Sequence, residues 1–471
     1  MAARSHRLQI ESPPTWCHPI ATARPAPTGV RLEDQPRALG PTSNVRWHLV
    51  VLLAVAAFVA YLLRQNMSIA GERMIRDLGL TQVQLGIVLA AFAWGYAIFQ
   101  LPGGVWGQQI GGRRGLALIA VAWGALNMLV GLVPGVGVAS TLTIIASLVV
   151  LRFLMGAAQA PLFPIMSGFV IARWFPPTGW GFPNGLTNAG LTFGSAATGP
   201  LIAWLATTVG WRGSFVVTGP LGFAIAGLWW WYSRDRPEEH PRVRPAELVH
   251  INAGRQPDQG GEPTAHFPWR RVLGDRDLLL ISLSYFLNNY VFYFFFNWLY
   301  IYLVDLRKFT LLAGGAFAAA PWIAGAGGAA IGGLLCDRLA RRHGTLRGCQ
   351  VISIIGLGLA GVFIMAASAA ANAYVAVGLL TLCLASQQFT DSAAWAASTY
   401  VGGRNASAAC GVLNTGGNVV GGIEALLVPL VARAFGWPVA VGSAAACALL
   451  GALVWLWVRT DRSPQTAVSQ K

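Results

Sequence analysis

The chain has 471 residues, of which 55% carry apolar side chains and 11% are charged, with a formal net charge of +15. Counting the 56 glycines, the apolar share rises to about 67%, against roughly 45 to 50% for a soluble domain. A single soluble core stops growing near ~250 to 300 residues, yet apolar runs of about twenty residues, the length that crosses a bilayer as helix, continue here from 46 to 458. An ordinary soluble enzyme is excluded, and a polytopic helical membrane protein is expected.

In chain order, residues 1–45 are proline-rich and polar, with no apolar stretch long enough for a signal peptide, and read either as a disordered cytoplasmic tail or as the product of a misassigned start codon. Six spans follow at about 46–69, 83–106, 115–134, 141–171, 183–207 and 211–232, making an amino-terminal bundle over 46–232. The segment 233–277 carries eight arginines interspersed with acids and prolines, without apolar periodicity, and is expected to be a solvated cytoplasmic linker loop. Six more spans, at about 278–304, 310–335, 347–368, 372–398, 406–433 and 436–458, form a carboxyl-terminal bundle over 278–458, and 459–471 is a second cytoplasmic tail.

The basic residues sit in connections rather than in spans, so they bear on orientation and not on nucleic acid. Arg113 and Arg114, the central linker, Arg338, Arg341, Arg342 and Arg347, then Arg459 and Arg462 all fall on one side, which places both termini in the cytoplasm. Lys308 and Lys471 are the only lysines, so no Gly-x-x-x-x-Gly-Lys-Ser/Thr phosphate loop exists. The histidines (His6, His18, His48, His240, His250, His266, His343) lie in tails, loops or at a helix start, which removes the axial ligands of a haem or copper membrane enzyme. Cys17, Cys336, Cys349, Cys383, Cys410 and Cys447 show no paired spacing; no disulfide, metal or cofactor is expected.

The halves repeat. The loop after the second span reads Gly104-Val-Trp-Gly-Gln108-Gln109-Ile-Gly111-Gly-Arg113-Arg114, and that after the eighth reads Gly333-Leu-Leu-Cys-Asp337-Arg338-Leu-Ala340-Arg341-Arg342, with Gln108 and Asp337 229 positions apart. Parallel six-helix repeats of this kind signal an alternating-access transporter with a site between the halves.

Five further segments carry a resemblance: Tyr61-Leu-Leu-Arg64-Gln-Asn66-Met-Ser68; Asp77-Leu-Gly-Leu running on to Trp94-Gly-Tyr96-Ala-Ile-Phe-Gln100-Leu-Pro102-Gly-Gly; Arg152-Phe-Leu-Met-Gly156; Ala172-Arg-Trp-Phe-Pro-Pro177; and Asn414-Thr-Gly-Gly-Asn418. Together, in order and spacing, they make the chain resemble the major facilitator superfamily, and within it the anion:cation symporter branch of sugar-acid and aromatic-acid permeases. The resemblance implies an all-α membrane protein of twelve transmembrane helices in two six-helix bundles, moving a small organic anion, with ion or proton coupling, by rocking of the bundles.

Charged side chains inside spans are costly and by default functional; four stand out, Arg64, Arg152, Asp391 and Glu424. A guanidinium is always charged and its flat fork fits a carboxylate, so Arg64 and Arg152 are the expected substrate anchors. A competing role is pairing with helix-end carbonyls or snorkelling to the interface, chiefly for Arg64 near its span's end. The resemblance adds Tyr96, Trp395 and Asn414 as site-lining groups. It also implies an acid just before the first arginine and another seven residues after the second; here these are Leu63 and Gln159. Gln159 shares a face with Arg152 and is expected to join the substrate site, but it cannot carry a proton, so coupling is expected to have moved to Asp391 or Glu424, each of which has a structural role as its alternative. The gating motif comprises Gly104, Gln108, Arg113, Asp337 and Arg338, where the first copy's acid and base are replaced by Gln108 and Gln109, which should weaken one charge contact at the inner gate.

The expected partners are a small organic anion, the lipid bilayer and protons, in a monomer of the bacterial inner membrane; no nucleic acid and no enzyme activity are expected. Alternatives are a uniporter or exchanger without proton coupling, and a non-transporting sensor on a transporter fold. The glycine pairs Gly103 and Gly107, Gly190 and Gly194, Gly417 and Gly421 fit either static packing or sliding of the two halves.

Overall fold

The computed structural model describes residues 42–255, 269–299, 302–309 and 311–461. The expected tails lie outside these residues, except for 42–45 and 459–461. A lipid core offers no hydrogen-bond partners, so the apolar runs close their backbone bonds internally as helices. Eleven stretches are long and apolar enough to cross a membrane, and one of them, Ala373–Phe435, holds two helices, Ala373–Gly402 and Ala406–Phe435. The twelve expected spans are thus present, and side chains such as Trp94, Leu142, Trp204 and Leu430 turn outward from them.

Several spans outrun the sequence estimate, while the third, seventh and twelfth end before it does. The first is Val45–Leu78, stopped by Gly79 in the left-handed region at φ 62°; the second is Gln82–Ile110, started by a capping box between Thr81 and Gln84. The third is Gly112–Gly131, and the fourth begins at Thr141–Gln159 and continues through a π-helical stretch, Met166–Ile171, as far as Trp174. The fifth is Gly181–Thr208 and the sixth is broken into Gly210–Thr218 and Pro220–Tyr232. In the second half come Arg276–Asn297, Leu311–His343 and Thr345–Ala369, the two helices already given, and Trp437–Val454.

Packing repeats as the sequence does. Span one lies on five, two on four and three on six; correspondingly seven lies on eleven, eight on ten and nine on twelve. The halves meet where five packs on eight and two on eleven. Each of these four spans carries an internal proline, Pro102, Pro200, Pro321 and Pro429, where the missing N–H and the ring loosen the helix and let it bend.

The small-residue pairs resolve as packing inside each half. A side chain at Gly103 or Gly107 would strike Pro161 or Ile165 of the fourth span, at Gly190 or Gly194 the first span, and at Gly417 or Gly421 Tyr285 or Tyr293 of the seventh.

The central segment corrects the solvated-loop expectation over its first part. It forms a short helix, Pro245–Asn252, whose Glu247 and Ile251 are fully buried. The Glu247 carboxylate accepts from the Ser43 hydroxyl and from the backbone N–H groups of Val45 at 3.4 Å and Arg46 at 3.2 Å, the open first turn of span one. Asp235 accepts from the Arg113 N–H at 2.7 Å at the start of span three. Arg255 donates to the carbonyls of Ala172 at 3.1 Å and Arg173 at 2.7 Å where span four ends. Charges of the favourable sign thus bind three helix ends, which the lack of apolar periodicity could not reveal. Burial pushes the His240 imidazole below its ordinary value, and burial followed by the nearby Arg46 charge does so for His250.

Candidate functional site between the halves

Spans two and four touch almost backbone to backbone. A Cβ on Gly95 would sit 2.1 Å from the Phe153 carbonyl oxygen, and one on Gly156 2.1 Å from that of Phe92, so only glycine permits this approach. The contact brings the Phe92 ring between the two arginines: the Arg64 guanidinium carbon is 4.9 Å from the ring centre and that of Arg152 is 4.8 Å. Arg64 also stands over Tyr96 at 5.0 Å and Tyr61 at 5.2 Å, and donates to the Tyr61 hydroxyl at 3.4 Å. Arg152 is 3% exposed; it donates to the Arg64 backbone carbonyl at 3.2 Å, and its Nε has no partner.

Among the described residues, neither arginine forms an ion pair with a carboxylate. Cation–π contact offsets part of the desolvation, but two guanidiniums about one ring remain a positive centre without a counter-ion. An unpaired buried charge is expensive, so the arrangement favours an anion with several acceptor oxygens. Arg64 is directed into the protein among rings rather than to a helix end, contrary to the snorkelling alternative.

The other expected lining residues divide. Tyr96 stacks on Phe92 with centroids 5.7 Å apart at 16°. Asn414 reaches across from span eleven, donating to the Tyr96 hydroxyl at 3.4 Å and the Gln100 side-chain oxygen at 2.8 Å. Asn418 donates to the Asn414 side chain at 3.0 Å and accepts from the Tyr293 hydroxyl at 2.8 Å. A polar chain therefore links spans seven, eleven and two; Gln100, which the sequence reading did not select, is its terminus in the first half. Gln159 instead packs inward, donating to the Ala60 carbonyl at 2.9 Å and leaving its oxygen unpartnered.

The two acids occupy different settings. Asp391 is 6% exposed, with the Tyr285 hydroxyl and Trp395 indole N–H turned toward its carboxyl. Trp395 meets Tyr285 edge-on at 6.0 Å and Phe163 of the opposite half at 5.9 Å. Glu424 is fully buried; Asn297 donates to its Oε2 at 2.8 Å, while Oε1 has no partner.

At the end of the spans that bears the central linker, the repeated loops hold the halves together. Asp337 accepts from the N–H groups of Gly181 at 2.6 Å and Phe182 at 3.0 Å, in the first turn of span five. The equivalent Gln108 donates to the Arg404 carbonyl and lies 3.5 Å from the Asn405 side-chain oxygen. Where a carboxylate would cap a helix start, the first copy makes a neutral amide bond. Ser407 donates to the Gly104 carbonyl at 2.9 Å, Ser167 and Thr399 hydroxyls lie 3.0 Å apart, and Thr345 donates to the Pro177 carbonyl at 3.0 Å. Arg113 serves its own half, donating to the Trp230 carbonyl at 2.8 Å and standing over that ring at 4.4 Å, and Arg338 is exposed.

A fold of two repeated six-helix bundles with a polar centre and a repeated loop that ties the halves together defines a secondary-transporter architecture. The family model described as Major Facilitator Superfamily matches residues 53–423, and the chain belongs to that superfamily. It is 32% identical over 377 residues to a probable sulfoacetate transporter of Cupriavidus necator, covering 79% of this chain and 84% of the relative. It is 30% identical to a probable galactarate/D-glucarate transporter of Bacillus subtilis, covering 84% and 88%. Among solved structures, the proton:xylose symporter XylE superposes with a TM-score of 0.71 at 14% identity, covering 89% of this chain and 97% of that one. The Escherichia coli fucose:proton symporter FucP does so at 0.62 and 16%, covering 88% and 100%. The protein is a multi-pass membrane transporter, and its family and relatives are transporters rather than enzymes.

Proposed function

We propose that the protein moves a small organic anion, of the sugar-acid or sulfonated-acid class named for its relatives, across the bacterial inner membrane by alternating access. The observation that carries this reading is the pair of guanidiniums at 4.9 and 4.8 Å from the Phe92 ring with no carboxylate among the described residues to neutralise them. A carboxylate or sulfonate supplies the missing charge and enough oxygens for both forks. The arginine-rich linker side is the cytoplasmic side, with both termini there. The bonds that Asp337 and Gln108 make across the halves then shut the cytoplasmic gate, so this conformation receives substrate from outside. The working unit is a monomer.

Transport is coupled to protons through the carboxyl-terminal half. Of its two acids, Glu424 fits a proton carrier better, because among the described residues its buried Oε1 completes no hydrogen bond, the Trp298 indole N–H only approaching the carboxyl, and a proton there supplies the neutralisation that no described side chain does. The test is uptake of labelled galactarate, glucarate and sulfoacetate into proteoliposomes with an imposed pH gradient. Accumulation that a protonophore abolishes supports the reading. Equilibration without accumulation would replace it with a uniporter, and saturable binding without flux with a sensor.

A further inference from the structure

Among the described residues, neither Arg64 nor Asp391 forms an ion pair, with each other or with any other group. Between them runs a continuous series of rings. Arg64 stands over Tyr61 at 5.2 Å, Tyr61 meets Phe163 at 6.2 Å, Phe163 meets Trp395 at 5.9 Å, and Trp395 meets Tyr285 at 6.0 Å. The series crosses from the first half, Tyr61 and Phe163, to the second, Trp395 and Tyr285.

Resting on the anion-site reading above and narrowing the acid class given there, we infer that the preferred substrate is an acid that also bears an amine, the anionic group on Arg64 and Arg152 and the ammonium on Asp391 among Phe163, Trp395 and Tyr285, with the amine-free acids binding through the arginines alone. A carboxylate with aromatic rings about it is the chemistry that holds an organic ammonium, since ring faces attract the cation while the acid supplies the charge. The two neutral donors turned toward Asp391 leave acceptor capacity on its oxygens, because an ionised carboxyl offers about four lone-pair sites. A metal ion fits worse: hard cations take six or so oxygen ligands, and among the described residues no three metal-binding side chains gather anywhere. Asp391 is then a specificity-determining residue, and a zwitterion spanning the halves draws them together as it binds.

The test uses purified full-length protein and matched probes that differ only in the amine: β-alanine against propionate, γ-aminobutyrate against butyrate, and taurine against ethanesulfonate. Affinities are read by competition or thermal shift for wild type, Asp391→Asn and Asp391→Glu. The amine member binds wild type tighter by about tenfold or more in at least one pair, the scale of one charge-assisted contact away from water. In Asp391→Asn the ratio falls toward one, and Asp391→Glu, which keeps the charge, restores it. Plain anions that bind wild type with no amine preference in any pair overturn this inference alone, as does a preference that survives in Asp391→Asn. Folded wild type that binds no member of any pair overturns this inference, and the anion site itself is then decided by galactarate, glucarate and sulfoacetate in the same assay: binding of any of them leaves it standing, and binding of none overturns it as well. Should Asp391→Asn fail to fold, the wild-type ratios and Asp391→Glu still decide.

Discussion

Gly181 and Gly333 set how closely spans five and eight meet at the linker end, and a single methyl there tests the gate. The Cβ of Gly333→Ala would lie 2.4 Å from the Gly181 carbonyl oxygen, 2.8 Å from its carbon and 2.9 Å from the Phe182 Cα. These are backbone atoms, so relief requires the helices to part by about 1 Å to reach ordinary contact distances. Overpacking of this kind costs ~1 to 3 kcal/mol. Parting also stretches the bonds from Gly181 and Phe182 to Asp337, now 2.6 and 3.0 Å, each worth ~1.5 to 3 kcal/mol for a charged acceptor. Even a net loss of ~2 kcal/mol, charged to the closed state alone, moves the equilibrium between gate-closed and gate-open forms by a factor of roughly 30. Spin labels at Arg114 and Arg342, both exposed and in opposite halves at this end, would report it by double electron–electron resonance in a cysteine-free background. The short-distance population of wild type should give way to a longer one in Gly333→Ala. An unchanged distribution in folded protein would refute the reasoning that this contact closes the gate.

Replacing Asp337 by Asn should shift the same distances more than replacing Gln108 by Ala, because a neutral bond is worth only ~1 kcal/mol; equal shifts would show that the two gate copies are equivalent. Glu424→Gln should abolish proton-driven accumulation in proteoliposomes while counterflow exchange persists, and full accumulation would remove Glu424 from coupling. Glu247→Ala strips the acceptor from the Val45 and Arg46 N–H groups, a cost of ~1 to 3 kcal/mol for buried donors, and should lower the melting temperature and hasten proteolysis of the linker. Because His240 and His250 titrate below their ordinary value when docked, the undocked linker binds more protons below pH ~6.5. Docking is therefore at full strength above that pH and weakens as pH falls through it. Wild type should lose more thermal stability between about pH 7.5 and 5.5 than a His240→Gln, His250→Gln double variant; equal losses would contradict the linkage.

The helices were legible because the bilayer imposes one rule, about twenty apolar residues per span, and the chain obeys it from Val45 to Val454. The pairing of Arg64 with Arg152 was legible in part, since arginines inside spans are rare enough to stand out; that they share Phe92 depends on Gly95 and Gly156, two glycines that nothing in the sequence separates from the other 54. Gln159 lies on the face of span four that the spacing gave it, but helical phase does not say whether span one or the central space takes that face, and Ala60 takes it. Gln100 was passed over because an amide in a span carries no cost signal comparable with a charge. Its place at the end of the Tyr293, Asn418 and Asn414 chain follows from packing between the halves, which single-helix patterns do not encode. In the linker, Asp235, Glu247 and Arg255 looked like solvated charges; each binds a helix end that is distant in sequence.

The claim that two arginines form an anion site is tested most directly by a thermal-shift panel of sugar acids, aromatic acids, short dicarboxylates and sulfonates at about pH 5 and pH 8, on wild type and Arg152→Ala, since a ligand of the folded state raises apparent stability by mass action. The account predicts that at least one of these anions stabilises wild type and that none stabilises Arg152→Ala. Equal stabilisation of both proteins, or none of a demonstrably folded wild type, would contradict it.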